Sequence, residues 1–112
     1  MDDSLAIYDS SILIGLVGDD VAVVADFQQQ FIQQAIGCIK ELTIAYNQKN
    51  SAEIKEKAHF LKTSAKAVGA LRCAERLQQI ENDALQQNFE NVKQLIMQLK
   101  GDIQTLKVTF KP

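Results

Sequence analysis

Apolar residues recur along most of the chain at alternating steps of three and four, the interval that returns to one face of a 3.6-residue helix. The longest such run is Val24, Phe27, Phe31, Ala35, Cys38, Leu42 and Tyr46. A second, Ile54, Ala58, Leu61, Ala65 and Val68, steps by four, three, four and three. Ala70, Cys73, Leu77, Ile80 and Ala84 form a third, and Val92, Leu95, Leu99, Ile103, Leu106 and Phe110 a fourth. The only proline is Pro112, and the five glycines are scattered. So few breakers predict an almost wholly helical chain.

The polar residues between the runs place the boundaries. A short helix is expected over Ser10 to Val17, with Ser10 or Ser11 as its cap and Gly18 as its stop. Asp19 is then the expected cap of the long helix, with Gly37 inside it marking a bend or a close helix contact. Gln48-Lys49-Asn50 reads as a turn, and Ser51-Ala52-Glu53-Ile54 opens the third helix with an acid where the dipole favours one. Gly69 ends that helix in the left-handed conformation, Asn88 closes the fourth, and Gly101 loosens the fifth near its middle. Short connections between amphipathic helices predict an all-α fold: an up-and-down antiparallel four-helix bundle with a short N-terminal capping helix. Residues 1–112 are expected to form one domain, since the length suits a single core.

Composition narrows the function by exclusion. The net charge of −2 argues against nucleic acid as a partner, because phosphate-backbone binding needs a basic face. No apolar stretch approaches ~20 residues, so no membrane span is expected. The N-terminal MDDSLAIYDSS is acidic and lacks a signal peptide's layout, which points to a cytoplasmic protein. Cys38 and Cys73 stand apart from each other and from other ligand types, so they read as reduced core residues rather than a disulfide or metal site. No metal is expected.

One stretch carries candidate chemistry. AHFLKTSAKAVGA, residues 58–70, holds the only histidine, His59. On a helical wheel His59 points roughly 140° from the Ile54–Ala58–Leu61–Ala65 stripe, toward solvent. Lys55, Lys62 and Lys66 fall at roughly 80° to 120°, on the same side. An exposed histidine beside lysines is an ordinary solvated surface in many helices. If this imidazole accepted a phosphoryl group, however, the lysines would become its counter-charges through charge-assisted hydrogen bonds. The small side chains of Ala58, Thr63, Ser64, Ala65 and Ala67 would leave room for a protein partner to approach.

These residues resemble the signature of histidine-containing phosphotransfer domains, roughly A-H-x-L-K-G-S-x-x-x-[LVI]-G-A. Ala58, His59, Leu61, Lys62, Ser64, Val68, Gly69 and Ala70 match it in register. DFQQQFIQQAIGCIKEL is similar to the family's second helix, with Phe31 at its aromatic position, and RLQQIEND to the helix that follows the histidine. The resemblance implies a phosphorelay carrier with the same bundle fold. His59 would take a phosphoryl group on Nε2 from the aspartyl-phosphate of a response-regulator receiver domain and pass it to another receiver. It implies no cofactor of the chain's own, the Mg²⁺ belonging to the receiver, and no ATP-dependent kinase activity.

Lys62 carries over as the residue that steadies the phosphoryl group, and Lys66 as a second cation. Lys55, Phe60, Thr63 and Ala67 would frame the partner-binding face, joined by Gln30 and Gln34, which match glutamines of fungal members. Thr63 departs from the family's usual glycine four residues after the histidine, which bears on how closely a receiver docks. Partners would be receiver domains and, as a further class, a hybrid histidine kinase. A monomer is expected, and the Met1 start without a flanking linker fits a free-standing carrier.

Two rival readings use the same residues. A histidine-kinase dimerisation domain usually has an acid directly after its histidine, where this chain has Phe60, and there is no room for an ATP-binding region. A non-catalytic helical adaptor that binds signalling partners would make His59 incidental. Metal sites and catalytic triads lack components, with no second histidine and no Cys/Asp cluster.

Overall fold

The structure, a computed structural model, describes residues 5–110, so Met1 and Pro112 lie outside the described residues. Five helices follow in order: α1 (Ser10–Val17), α2 (Val21–Asn47), α3 (Ser51–Val68), α4 (Leu71–Leu85) and α5 (Phe89–Thr109). The 27 residues of α2 span about 40 Å at 1.5 Å per residue, which sets the 42 Å long axis of the molecule. Helices α2 to α5 pack in a ring, each on its chain neighbours and α5 back on α2. This is the up-and-down four-helix bundle that the periodicity predicts. Helix α1 lies against α2 and α3 and covers one end.

Every member of the α3, α4 and α5 stripes is buried. In α2 the stripe holds only through its middle, at Phe31, Ala35, Cys38 and Leu42. Phe27 is 42% exposed, Val24 and Tyr46 are half-buried, and Ile32 and Ala45 join the core instead. Burial pushes both thiols up to about 12, so Cys38 and Cys73 stay protonated, unreactive core residues. A buried ion pair crosses the α4–α5 seam, where Arg76 donates to Asp102 and also to Gln98 Oε1 at 3.0 Å.

The caps correct several boundaries. Asp9, not Ser10 or Ser11, caps α1, accepting from Ser11 N at 3.0 Å. Asp20 rather than Asp19 caps α2, because its carboxylate reaches the amides of both Ala22 and Val23. Asn50 is the cap of α3, bonding Glu53 N at 3.1 Å, so the turn is confined to Gln48 and Lys49. Asn88 caps the start of α5 and does not close α4, which ends at Leu85 with Gln86 as its C-cap. Helices α2 and α5 run unbroken through Gly37 and Gly101, and a Cβ at either would meet nothing within 4 Å, so neither glycine serves a close contact.

Gly69 has two reasons to be glycine. Its φ of 89° lies in the left-handed region. A Cβ there would also collide with the carbonyl oxygen of Asp9, whose amide donates to Gly69 O at 2.9 Å. The glycine thus lets the segment before α1 dock on the end of α3. Gly69→Ala is expected to cost at least about 1–3 kcal/mol in a denaturant melt, from left-handed strain plus the displaced contact. An unchanged midpoint would contradict that close approach.

Candidate functional site

Helix α3 turns two faces outward from its buried stripe, and His59 stands between them. Its side chain is 64% exposed, as the wheel predicts. Nδ1 faces Glu81 Oε1 of α4 at 3.2 Å, while Nε2 has no partner among the described residues. Glu81 can only accept when ionised, so Nδ1 carries the hydrogen in that bond. In the neutral ring this leaves the lone pair on Nε2, directed away from α4. A carboxylate on a second helix therefore selects the tautomer of the neutral ring.

Lys62 sits differently from the wheel's expectation. Its side chain is only 11% exposed, and its ammonium lies 2.7 Å from Glu81 Oε2 and 2.7 Å from Gln78 Oε1. The Gln78 contact is a hydrogen bond; the Glu81 contact is an ion pair with poor angles for one. The wheel placed Lys62 on the flank between core and solvent, and α4 packs over that flank. Its four-carbon stem lies along the α3–α4 seam while the charged head finds the carboxylate. Glu81, 7% exposed, is thus the hub of the site: one oxygen on the imidazole, the other on the ammonium.

Lys55, Phe60, Thr63, Lys66 and Ala67 are all exposed on α3, with Phe60 62% exposed. The Thr63 hydroxyl donates to the His59 carbonyl at 3.3 Å. Ala67, Ser64, Gln30 and Gln34 line one groove of about 350 Å³ between α1, α2 and α3, walled by Leu16 and Phe27. The structure therefore brings together two sets: His59 with Lys62 on the α4 side, and Gln30, Gln34 and Ala67 on the α2 side. Lys55 and Lys66 stand one and two turns along α3 without belonging to either set.

Glu81 and Gln78 are the residues that sequence reasoning missed. A signal existed: Glu81 follows Leu77 by four and precedes Ala84 by three, inside the apolar register of α4. A carboxylate at such a position needs a buried partner. Among the described residues, no group of three or more His, Cys, Asp or Glu side chains could hold a metal ion. No helix among them is long and apolar enough to cross a membrane.

The bundle thus displays one imidazole, tethered at Nδ1 to Glu81 and without a partner at Nε2 among the described residues. The Hpt domain model matches residues 26–108, and the chain belongs to that family of histidine phosphotransfer domains. The crystal structure of histidine-containing phosphotransfer protein B (HptB) from Pseudomonas aeruginosa PAO1 is similar in fold. It superposes with a TM-score of 0.86 at 18% identity, over 96% of this chain and 93% of that one. No curated protein sequence matches the chain significantly.

Proposed function

We propose that this Hpt protein is a phosphorelay carrier that accepts a phosphoryl group on His59 Nε2 from a receiver-domain aspartyl-phosphate and returns it to another receiver. The observation that carries this reading is the Glu81 tether, which leaves Nε2 as the ring nitrogen open to solvent. In the step, the Nε2 lone pair forms a bond to phosphorus as the bond from phosphorus to the aspartyl oxygen breaks, and the carboxylate departs. Nδ1 keeps its hydrogen throughout, so the phosphorylated ring gains positive charge, which the Glu81 carboxylate stabilises. The reverse step needs no proton transfer either. Any Mg²⁺ is supplied by the receiver.

On this reading Lys62 acts chiefly by holding Glu81 beneath the ring, and its charge adds to the field around the phosphoryl group. Lys66 and Lys55 supply longer-range positive charge on the open face. The groove beside Gln30, Gln34 and Ala67, with Phe60 and Phe27 exposed nearby, supports docking of a receiver over α1, α2 and α3. We place the protein in the cytoplasm as a monomer, serving receivers and a hybrid kinase.

Thr63 tests the docking face. It lies one turn beyond His59 and is exposed, so Thr63→Arg should leave the fold intact, arginine being the better helix former by a few tenths of a kcal/mol. An in-line transfer tolerates misplacement of only ~1 Å before its rate falls steeply. Transfer from a phosphorylated receiver is therefore expected to fall at least tenfold, while slow phosphorylation by phosphoramidate persists. Equal loss with both donors would mean that His59 itself is disturbed. Unimpaired transfer would move the docking face elsewhere.

A further inference from the structure

The seam between α2 and α5 differs from the other three in the bundle. Polar side chains cross α2–α3 at Glu41–Lys57, α3–α4 at His59–Glu81 and α4–α5 at Arg76–Asp102. Among the described residues none crosses α2–α5. That seam opens instead into a groove of about 560 Å³ walled by Ile36, Ile39, Ile44 and Ile103, with Lys40 and Lys100 on its rims. Ile36 and Gln104 also line a second hollow of about 600 Å³, which continues the groove past Lys107 and Val108. Ile44 is 57% and Val108 74% exposed, so the apolar surface reaches solvent at both ends.

The charge of this groove is segregated. The chain carries more acids than bases, 14 against 12, yet among the described residues no carboxylate lines either stretch and three lysines do. No described carboxylate pairs with the ammonium of Lys40, Lys100 or Lys107. From Ala25 to Ile44 the α2 wall runs about 28 Å, the length of a helix of about 19 residues.

We infer that the α2–α5 groove is a docking site for an acidic amphipathic helix of a partner protein. The apolar stripe of that helix would fill the isoleucine floor, and its flanking carboxylates would meet Lys40, Lys100 and Lys107. The groove is open along its length, so a single alkyl chain would leave most of its floor wet. A two-fold pairing of this face in a second copy would bring together two lysine-rimmed surfaces that have no lining carboxylate among the described residues, which like charge opposes. The site stands apart from His59 and does not depend on the phosphotransfer reading.

The test uses the full chain and a fluorescein-labelled 18-residue peptide with leucine at helical spacing and glutamate flanking the stripe. A matched peptide carries lysine in place of glutamate. The acidic peptide should raise its anisotropy on titration and shift backbone amide resonances at Ile36, Ile44 and Ile103, leaving His59 unmoved. Lys40→Glu with Lys100→Glu, and separately Ile44→Asp, should each weaken binding at least tenfold at unchanged thermal stability, since all three side chains are exposed. No binding, equal binding of both peptides, or shifts gathered around His59 would overturn the inference. So would a dimer that the Ile44 variant dissolves, or palmitate alone reproducing the shifts.

Discussion

His59→Gln is expected to abolish phosphoryl acceptance and leave the fold standing: label from a phosphorylated receiver should fall to background while the melt moves by less than about 0.5 kcal/mol. The loss is complete because the chain has no second imidazole to substitute. The fold survives because the side chain is 64% exposed, and a glutamine amide can still donate to Glu81. Phosphoramidate distinguishes the causes of any residual signal. A variant that still takes phosphate from this small donor would place the acceptor on another residue type. A large stability loss would instead make His59 a structural residue.

The second large effect falls on Glu81, 7% exposed and holding two partners at once. Glu81→Ala leaves the ammonium of Lys62, 11% exposed, with Gln78 alone. Removing one partner of a buried pair costs about 3–5 kcal/mol, because the remaining charge stays desolvated. At about 4–8 °C per kcal/mol, the melting temperature should drop by more than about 10 °C. Phosphorylation of His59 by phosphoramidate should slow as well, since the ring loses both its tether and the charge that balances the phosphorylated form. Glu81→Leu combined with Lys62→Met separates the two roles. Well-packed apolar replacements of a buried pair are often neutral in stability, so the double variant should regain the melt but not the transfer rate. Recovery of both would reduce Glu81 to a packing element.

The parts legible in the sequence were those that periodicity controls. The α3, α4 and α5 stripes read directly because a helix flanked on two sides must bury one continuous face. The α2 stripe failed at Phe27 because the first turns of that helix run past the main core, where α1 is the neighbour; Val21 is 82% exposed there. The caps of α1 and α2 were misplaced by one or two residues because neighbouring serines and aspartates have similar preferences, and only geometry decides which oxygen reaches the first amides. His59's exposure was legible from its angle on the wheel. The burial of Lys62 was not, because the wheel knows nothing of α4 packing over that flank.

Buried charge marks the same boundary. Arg76 follows Cys73 by three and precedes Ile80 by four, and Asp102 follows Leu99 by three and precedes Leu106 by four. Both occupy apolar register, as Glu81 does, and all three are buried with partners. A hydrophobicity pattern treats such residues as gaps. Read as charges that must be answered, they point to cross-helix pairs, and one of these pairs contains the site.

Phosphoryl acceptance on this reading rests on a single nitrogen, and the lone histidine makes it directly observable. The protein, labelled with ¹⁵N, is incubated with a receiver kept phosphorylated, and the imidazole is followed by long-range ¹H–¹⁵N correlation. Phosphorus should appear on Nε2 of His59, with Nδ1 still carrying its hydrogen against Glu81. A ring phosphorylated on Nδ1, or one that stays unmodified while phosphate accumulates elsewhere in the chain, would contradict the account.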